Sequence, residues 1–228
     1  MRHKGIRSVL GAVLAGVFAV FGVSGVAWGE GGGMLGDPDA AAQYWARQVS
    51  DDCALMAVAD VVGELTGVKP SEDQVIALAV ATPSSKEGAP PIYTPAPDLE
   101  GPVPPAARRN QLPVIRDLPV LLAHYGVPAI LTDDTIAANG GPPTGIPGLQ
   151  DALSNGMKAI ISLNGETIWD QPGDRSIHDH DVVVTGLDTA AGIVHLNDSA
   201  APGPNSQIPI DVFDTAWRTS AHSMVLAG

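Results

Sequence analysis

The 228-residue chain has one cysteine, only 12 lysines and arginines, and a single long apolar run. One cysteine excludes a disulfide framework and any four-cysteine zinc site. Twelve basic residues against 25 acidic ones leave a formal net charge of −13. That balance excludes a nucleic-acid backbone as partner, because phosphate binding needs clustered Lys and Arg. What is present is enough apolar side chain for a core. Hydrophobic residues make up 45% of the chain, which excludes a disordered acidic protein. The length suits one large domain or two small ones. With 26 glycines and 20 prolines, much of the chain is expected in loops, and it carries no internal repeat.

The apolar run is at the N-terminus. Arg2, His3, Lys4 and Arg7 precede an uncharged stretch from Ser8 to Ala27, and Ala27-Trp28-Gly29 sets small residues on both sides of a bulky one. This pattern predicts a secretory signal over residues 1–29, cut after Gly29. The run is also about long enough to span a bilayer, so an uncleaved anchor is the alternative. Cleavage leaves 9 basic and 25 acidic residues, a net charge of −16. Such a chain repels anionic membrane surfaces and is expected to be secreted or held in the cell envelope, without stable membrane insertion. Cys53 is then an unpaired thiol outside the reducing cytosol, either an intermolecular link or a reactive group.

Residues 30–42 are rich in Gly and Ala and are expected to form a flexible lead-in to a domain over 43–228. Leu55, Val58, Val62 and Leu65 recur at helical spacing over 53–65, with Asp51 and Asp52 as N-cap candidates and Gly67 as the stop. Ser71 to Gln74 reads as a capping box opening a second helix that runs through Ala81. Residues 83–113 hold nine prolines and break the pattern. A loop of that length, next to a cleft, either gates access to it or serves as a spacer. Beyond it the sequence predicts helices over 118–125, 146–155 and 211–217. Strands are predicted over 127–131, 158–163, 180–187, 192–197 and 223–226, the 180–187 and 192–197 pair forming a hairpin. Helices first and strands later indicate an α+β fold with an antiparallel sheet.

The chemistry starts at Cys53, on the first turn of the strongest helix. Unpaired N–H groups there favour a thiolate, while Asp51 and Asp52 oppose it; a small buried apolar residue is the structural alternative. A thiol nucleophile needs an imidazole to take its proton, a group to orient that imidazole, and donors for the oxyanion. His180 opens one strand of the hairpin and Asp198 lies just past the other, so antiparallel pairing brings them together. Gln48, five residues before Cys53, is near enough to point an amide into the same cleft. His178, His180 and nearby carboxylates are a weaker candidate for a metal site, with no helical His-x-x-x-His pattern in support. His195 reads as a surface residue, and Trp169 and Trp217 as core or rim.

Gln48, then Cys53 opening a helix, then His180 before a Val-rich strand ending in Gly186, then Asn197-Asp198, resembles the papain-like cysteine peptidases. The pattern is most similar to peptidase family thirty-nine, the double-glycine or bacteriocin-processing peptidases and their secreted actinobacterial relatives, along most of residues 43–228. The resemblance implies a papain-like fold with N-terminal helices on a C-terminal antiparallel sheet. It implies Cys53 as nucleophile, His180 as base, Asp198 as orienting residue and Gln48 as oxyanion donor, with no cofactor and no metal. Ala54 stands where the family has Gly, Ser199 where Pro often follows the aspartate, and Gln48 is one residue closer to the cysteine than the family pattern, which keeps Gln43 open as the donor. The expected activity is a secreted peptidase or amidase acting by acyl transfer on a peptide or amide substrate. The alternatives are a non-catalytic extracellular binding module of the same fold and a metal-dependent hydrolase.

Overall fold

The computed structural model describes residues 33–95 and 114–228. The expected signal segment and residues 96–113 of the proline-rich loop lie outside the described residues. Seven strands form one antiparallel sheet: β1 (Met34–Gly36), β2 (Ala129–Thr132), β3 (Lys158–Leu163), β4 (His180–Asp188), β5 (Ile193–Asn197), β6 (Ser206–Pro209) and β7 (Met224–Ala227). Their order across the sheet is β2-β7-β3-β4-β5-β6, and β1 pairs with the second half of β4. The helices are α1 (Pro38–Ala41), α2 (Cys53–Thr66), α3 (Glu72–Ala81), α4 (Leu118–His124), α5 (Asp134–Ala138), α6 (Gly145–Ser154), α7 (Gly165–Ile168) and α8 (Ile210–Trp217).

Alternation along the central strands builds two cores. Ile160, Val183 and Val225 point to one face, where α2, α3 and α4 bring Leu55, Val58, Val62, Val75 and Leu121. Ile161, Val182, Val184 and Leu226 point to the other, against Leu149 of α6 and Phe213 and Trp217 of α8. The fold is thus α+β, as expected, with helices on both faces of the sheet. Strand β4 sits at its centre and is buried on both faces, which is why its sequence is a run of valines. The register shift between Val184 and Gly186 is a bulge at Thr185, whose carbonyl accepts from the Asp37 N–H at 3.0 Å.

Helix α2 starts and stops as the sequence predicts. Gly67 closes it in a left-handed conformation (φ +77°), its N–H bonded to the Gly63 carbonyl at 2.8 Å. The α3 capping box forms: the Gln74 side chain accepts from the Ser71 N–H and the Ser71 hydroxyl from the Gln74 N–H. The expected flexible lead-in is corrected. From Met34 onward it is ordered, because β1 finds a free edge on β4 and Asp37 caps α1 through the Ala40 N–H. The proline-rich segment is packed at its start. Ile92 and Tyr93 are buried in the α2–α4 core, and the Asp117 carboxylate accepts from Ser84 Oγ and the Ser85 N–H at 2.7 and 2.8 Å. Elements β1, β6, α1, α5 and α7, each of three to five residues, were not legible from periodicity, which needs longer windows.

A charged cluster lies between α2 and the sheet. Asp60, 4% exposed, accepts from Asn197 Nδ2 at 2.9 Å through Oδ2. Lys69 donates to the Tyr44 carbonyl, and Glu64 pairs with Lys158 at 2.7 Å. Burial, then the Glu64 charge, push the Asp60 carboxyl up to about 7, against the opposing pull of Lys69 and Asn197. Burial, with Glu72 and Asp51, pushes Asp52 up to about 7 as well. A raised carboxyl pKa means that the folded state holds more protons than the unfolded one between about 4 and 7, so stability falls as pH rises through that window. The thermal midpoint is expected to drop between about pH 5 and about pH 8, and Asp60→Asn to reduce that drop by at least about 3 °C. Calorimetry of both proteins checks it; an equal drop in the variant would show that Asp60 is not the source.

Candidate active site

Three elements meet at the N-terminus of α2. Cys53 is its first residue, and its own N–H and that of Ala54 lie in the first turn, where helix geometry leaves donors without intrahelical partners. Asp52 occupies the N-cap position, and its carbonyl accepts from Leu55 and Met56 at 2.8 and 3.0 Å. Its carboxyl does not cap the helix as the sequence suggested; it is buried beside Glu72. Glu72 in turn accepts from the N–H groups of Val49 and Ser50, both at 2.9 Å, which fixes the segment leading into Cys53.

His180 begins β4 and Asp198 follows the last residue of β5. The hairpin brings them together as predicted: His180 Nε2 lies 2.8 Å from Asp198 Oδ1, with both side chains buried. The imidazole also interacts electrostatically with the Cys53 thiol. With Nε2 committed to Asp198, Nδ1 is the ring nitrogen left for the sulfur. Burial alone would lower the His180 pKa, but Cys53 and Asp198 together hold it well above the usual imidazole value. Burial likewise pushes Asp198 up, yet the His180 bond and charge, the Ala200 N–H (2.9 Å) and the Trp169 N–H (2.9 Å) hold it below the ordinary carboxylate range. The arrangement favours a charged imidazole between a sulfur and a carboxylate. Chemically, it can take a proton from a thiol and return it to a leaving group.

The amide predicted as the oxyanion donor is engaged elsewhere. Gln48 Nε2 donates to the Ser50 carbonyl at 2.8 Å, its Oε1 accepts from Ser199 Oγ at 2.7 Å, and its N–H donates to the Ser199 carbonyl at 3.0 Å. Gln43 is exposed and donates to the Ala40 carbonyl. Neither lines the cavities that contain Cys53. Asn197 turns away from His180, its amide donating to Ala41 O and Asp60 Oδ2.

Two sequence assignments change. His195 is buried rather than on the surface, and Asn205 Oδ1, 2.6 Å from its Nδ1, gives the buried ring a hydrogen-bond partner. Trp169 does more than fill the rim: its ring centroid lies 4.8 Å from that of His180, and its Nε1 bonds Asp198 Oδ2. No sequence signal pointed to that role, since Trp169 lies 29 residues from Asp198 and the loop between them sets its position. His178 is exposed, 3.3 Å from the Thr219 carbonyl. Among the described residues no group of three or more His, Cys, Asp or Glu is placed to hold a metal.

Cys53 opens onto a cavity of about 590 Å³, lined also by Ala54, Ser162, Asp179, Asp181 and Thr219. Val114 to Arg116, which follow the proline-rich loop, lie on its wall. Ala54, where glycine was expected, is 1% exposed and part of the same wall.

No protein-family model matches the chain. Two proteins named only as uncharacterized, from Mycobacterium tuberculosis and Mycobacterium bovis, are each 44% identical to it over 222 residues, covering 94% of this chain and 93% of their own length. Among solved structures, a family-thirty-nine-like peptidase from Bacillus anthracis superposes with a TM-score of 0.57 over 86% of this chain and 97% of its own, at 14% identity. The chain belongs to the family of these mycobacterial proteins, and its fold is the papain-like one of the family-thirty-nine-like peptidases.

Proposed function

We propose that the protein is a cysteine peptidase or amidase acting by thiolate acyl transfer, with Cys53 as nucleophile, His180 as base and Asp198 as the residue that orients the imidazole. The observation that carries this reading is the buried His180–Asp198 pair at 2.8 Å, with the imidazole held charged by Asp198 and by the Cys53 thiol at the start of α2. In the proposed reaction the Cys53 thiolate attacks a carbonyl carbon. His180 then protonates the leaving nitrogen, and a water deprotonated by His180 hydrolyses the thioester. The substrate class is a peptide or amide. The Bacillus anthracis protein of this fold, described as a peptidase, supports that class. Export through residues 1–29 is part of the proposal, and no helix among the described residues is long and apolar enough to cross a membrane.

The oxyanion donors proposed are the Cys53 backbone N–H at the helix start and the Gln48 amide, which would have to turn from Ser50 toward the cleft. The bond to Ser50 also favours a second reading, a non-catalytic binding module that keeps the fold.

Because Cys53 is the only cysteine, iodoacetamide reports on one site. His180→Ala is expected to slow its labelling at neutral pH by about tenfold or more, read by mass spectrometry. A variant that labels as fast as the parent would remove His180 from any role at the thiol. Screening a peptide library should yield cleavage that Cys53→Ala abolishes. On any peptide so found, Asp198→Asn is expected to lower kcat by about 10⁴-fold with the fold intact, because the imidazole loses its fixed tautomer. On the same peptide Gln48→Ala should cost about 10²-fold in kcat if its amide serves the oxyanion. A Gln48→Ala protein of lower thermal midpoint and full turnover would assign Gln48 to structure alone.

A further inference from the structure

Asp181 is absent from the line Cys53–His180–Asp198, yet it touches Cys53's surroundings on two sides. It lines the 590 Å³ cavity and also the small cavity behind Cys53 that Trp45 and Asn197 close. It is 8% exposed, and its Oδ1 has no hydrogen-bond partner among the described residues. A buried carboxylate oxygen without a donor is costly, and native proteins rarely keep one without a use. The groups around it are the Ser162 hydroxyl on β3, the imidazoles of His180 and His178, and the Asp179 carboxyl. Asp179 lines the large cavity as well, its Oδ1 accepting from the Gly165 N–H at 3.0 Å. Arg116 is the one lysine or arginine among the described residues of that wall, and it is exposed. Beyond the imidazoles of His178 and His180, the cavity next to the sulfur is therefore rich in acceptors and has Arg116 as its one lysine or arginine among the described residues.

We infer that Asp181 makes the cavity beside Cys53 selective for a cationic, hydrogen-donating group, an ammonium or guanidinium, on the part of the substrate that lies there. The inference rests on the reading of Cys53 as a nucleophile facing this cavity. An ammonium in the cavity adds a donor to a carboxyl that has the Ser162 hydroxyl beside it but no partner at Oδ1, and a buried charge is compensated best by an opposite charge that brings its own N–H groups. An anionic group would meet two carboxyls. Burial pushes Asp181 up to about 6, against the pull of His180, so it carries its charge at mildly alkaline pH.

The single thiol allows a test without a known substrate. Cys53 is alkylated at mildly alkaline pH with three small probes: 2-bromoethylammonium, iodoacetamide and iodoacetate. The ratio of the cationic to the anionic rate cancels any change in thiolate fraction. Asp181→Asn is expected to lower that ratio about tenfold, whereas Asp151→Asn, an exposed carboxylate on α6, leaves it within about twofold. An unchanged ratio in Asp181→Asn, or an equal fall in both variants, overturns the inference. Should Asp181→Asn not fold, the parent protein decides. n-Butylammonium is expected to protect Cys53 from iodoacetamide at concentrations about tenfold lower than n-butanol, and equal protection overturns the inference. The iodoacetamide rate in His180→Ala reads the nucleophile assignment separately. If that rate equals the parent's while the charge ratio still responds to Asp181, the peptidase reading fails and the cation site stands.

Discussion

The packing of α2 against β4 is the constraint on which the rest of the structure depends. Strand β4 is buried on both faces, so its inward residues must be small and apolar where α2 crosses it, and Val183 meets that helix in the core. Along its length the contact is ordinary hydrophobic burial, on the order of 2 kcal/mol for each large aliphatic side chain. At its open end it sets chemistry. The N-terminus of α2 packs near the start of β4, so the first residue of the one element, Cys53, acts electrostatically on the first residue of the other, His180. The β4–β5 hairpin then supplies Asp198, because an antiparallel return ends where the outgoing strand began.

The same packing forces acidic side chains into the interior. Asp52, Asp60, Asp117, Asp181 and Asp198 are all buried, and the fold treats them differently. Asp198 receives bonds from His180, Ala200 and Trp169, and Asp117 from Ser84 and Ser85, so these two carboxylates are well supplied with donors. Asp60 and Asp181 each keep an oxygen without a hydrogen-bond partner among the described residues, and their pKa values rise. A buried charge left short of donors costs folding energy, whereas one held by several donors is fixed in place. The supplied carboxylate nearest the thiol holds the imidazole, and the undersupplied one faces the cavity.

Much of this was legible in the chain itself. The helical period over 53–65, the Gly67 stop and the Ser71–Gln74 capping box depend on neighbours within one turn, and local rules suffice for them. The α+β class followed from the order of helices and strands. The meeting of His180 with Asp198 followed from a hairpin whose turn was plain in the sequence, Asp188 accepting from the Ala190 and Ala191 N–H groups at 3.0 and 2.8 Å. Local rules placed Cys53 at a helix start, whereas its pairing with His180, far along the chain, was what the resemblance to the papain-like peptidases implied.

The tertiary structure decided what depends on residues far apart in the chain. Whether residues 34–41 were a loose lead-in or a strand and helix depended on a free edge of β4 some 150 residues away, and on no property of those residues alone. Trp169 became a partner of Asp198 because the segment between β3 and β4 folds back over the imidazole, a path that no periodicity encodes. Gln48 has the right type and nearly the right spacing for an oxyanion donor, but hydrogen bonds to Ser50 and Ser199 compete for its amide, and only three-dimensional packing sets that competition. The direction of each carboxylate near Cys53 is likewise a matter of burial. The sequence determined which residues could meet at the thiol, because secondary structure follows from local sterics and period. Packing determined which of them bond, because a hydrogen bond depends on tenths of an ångström contributed by several elements at once.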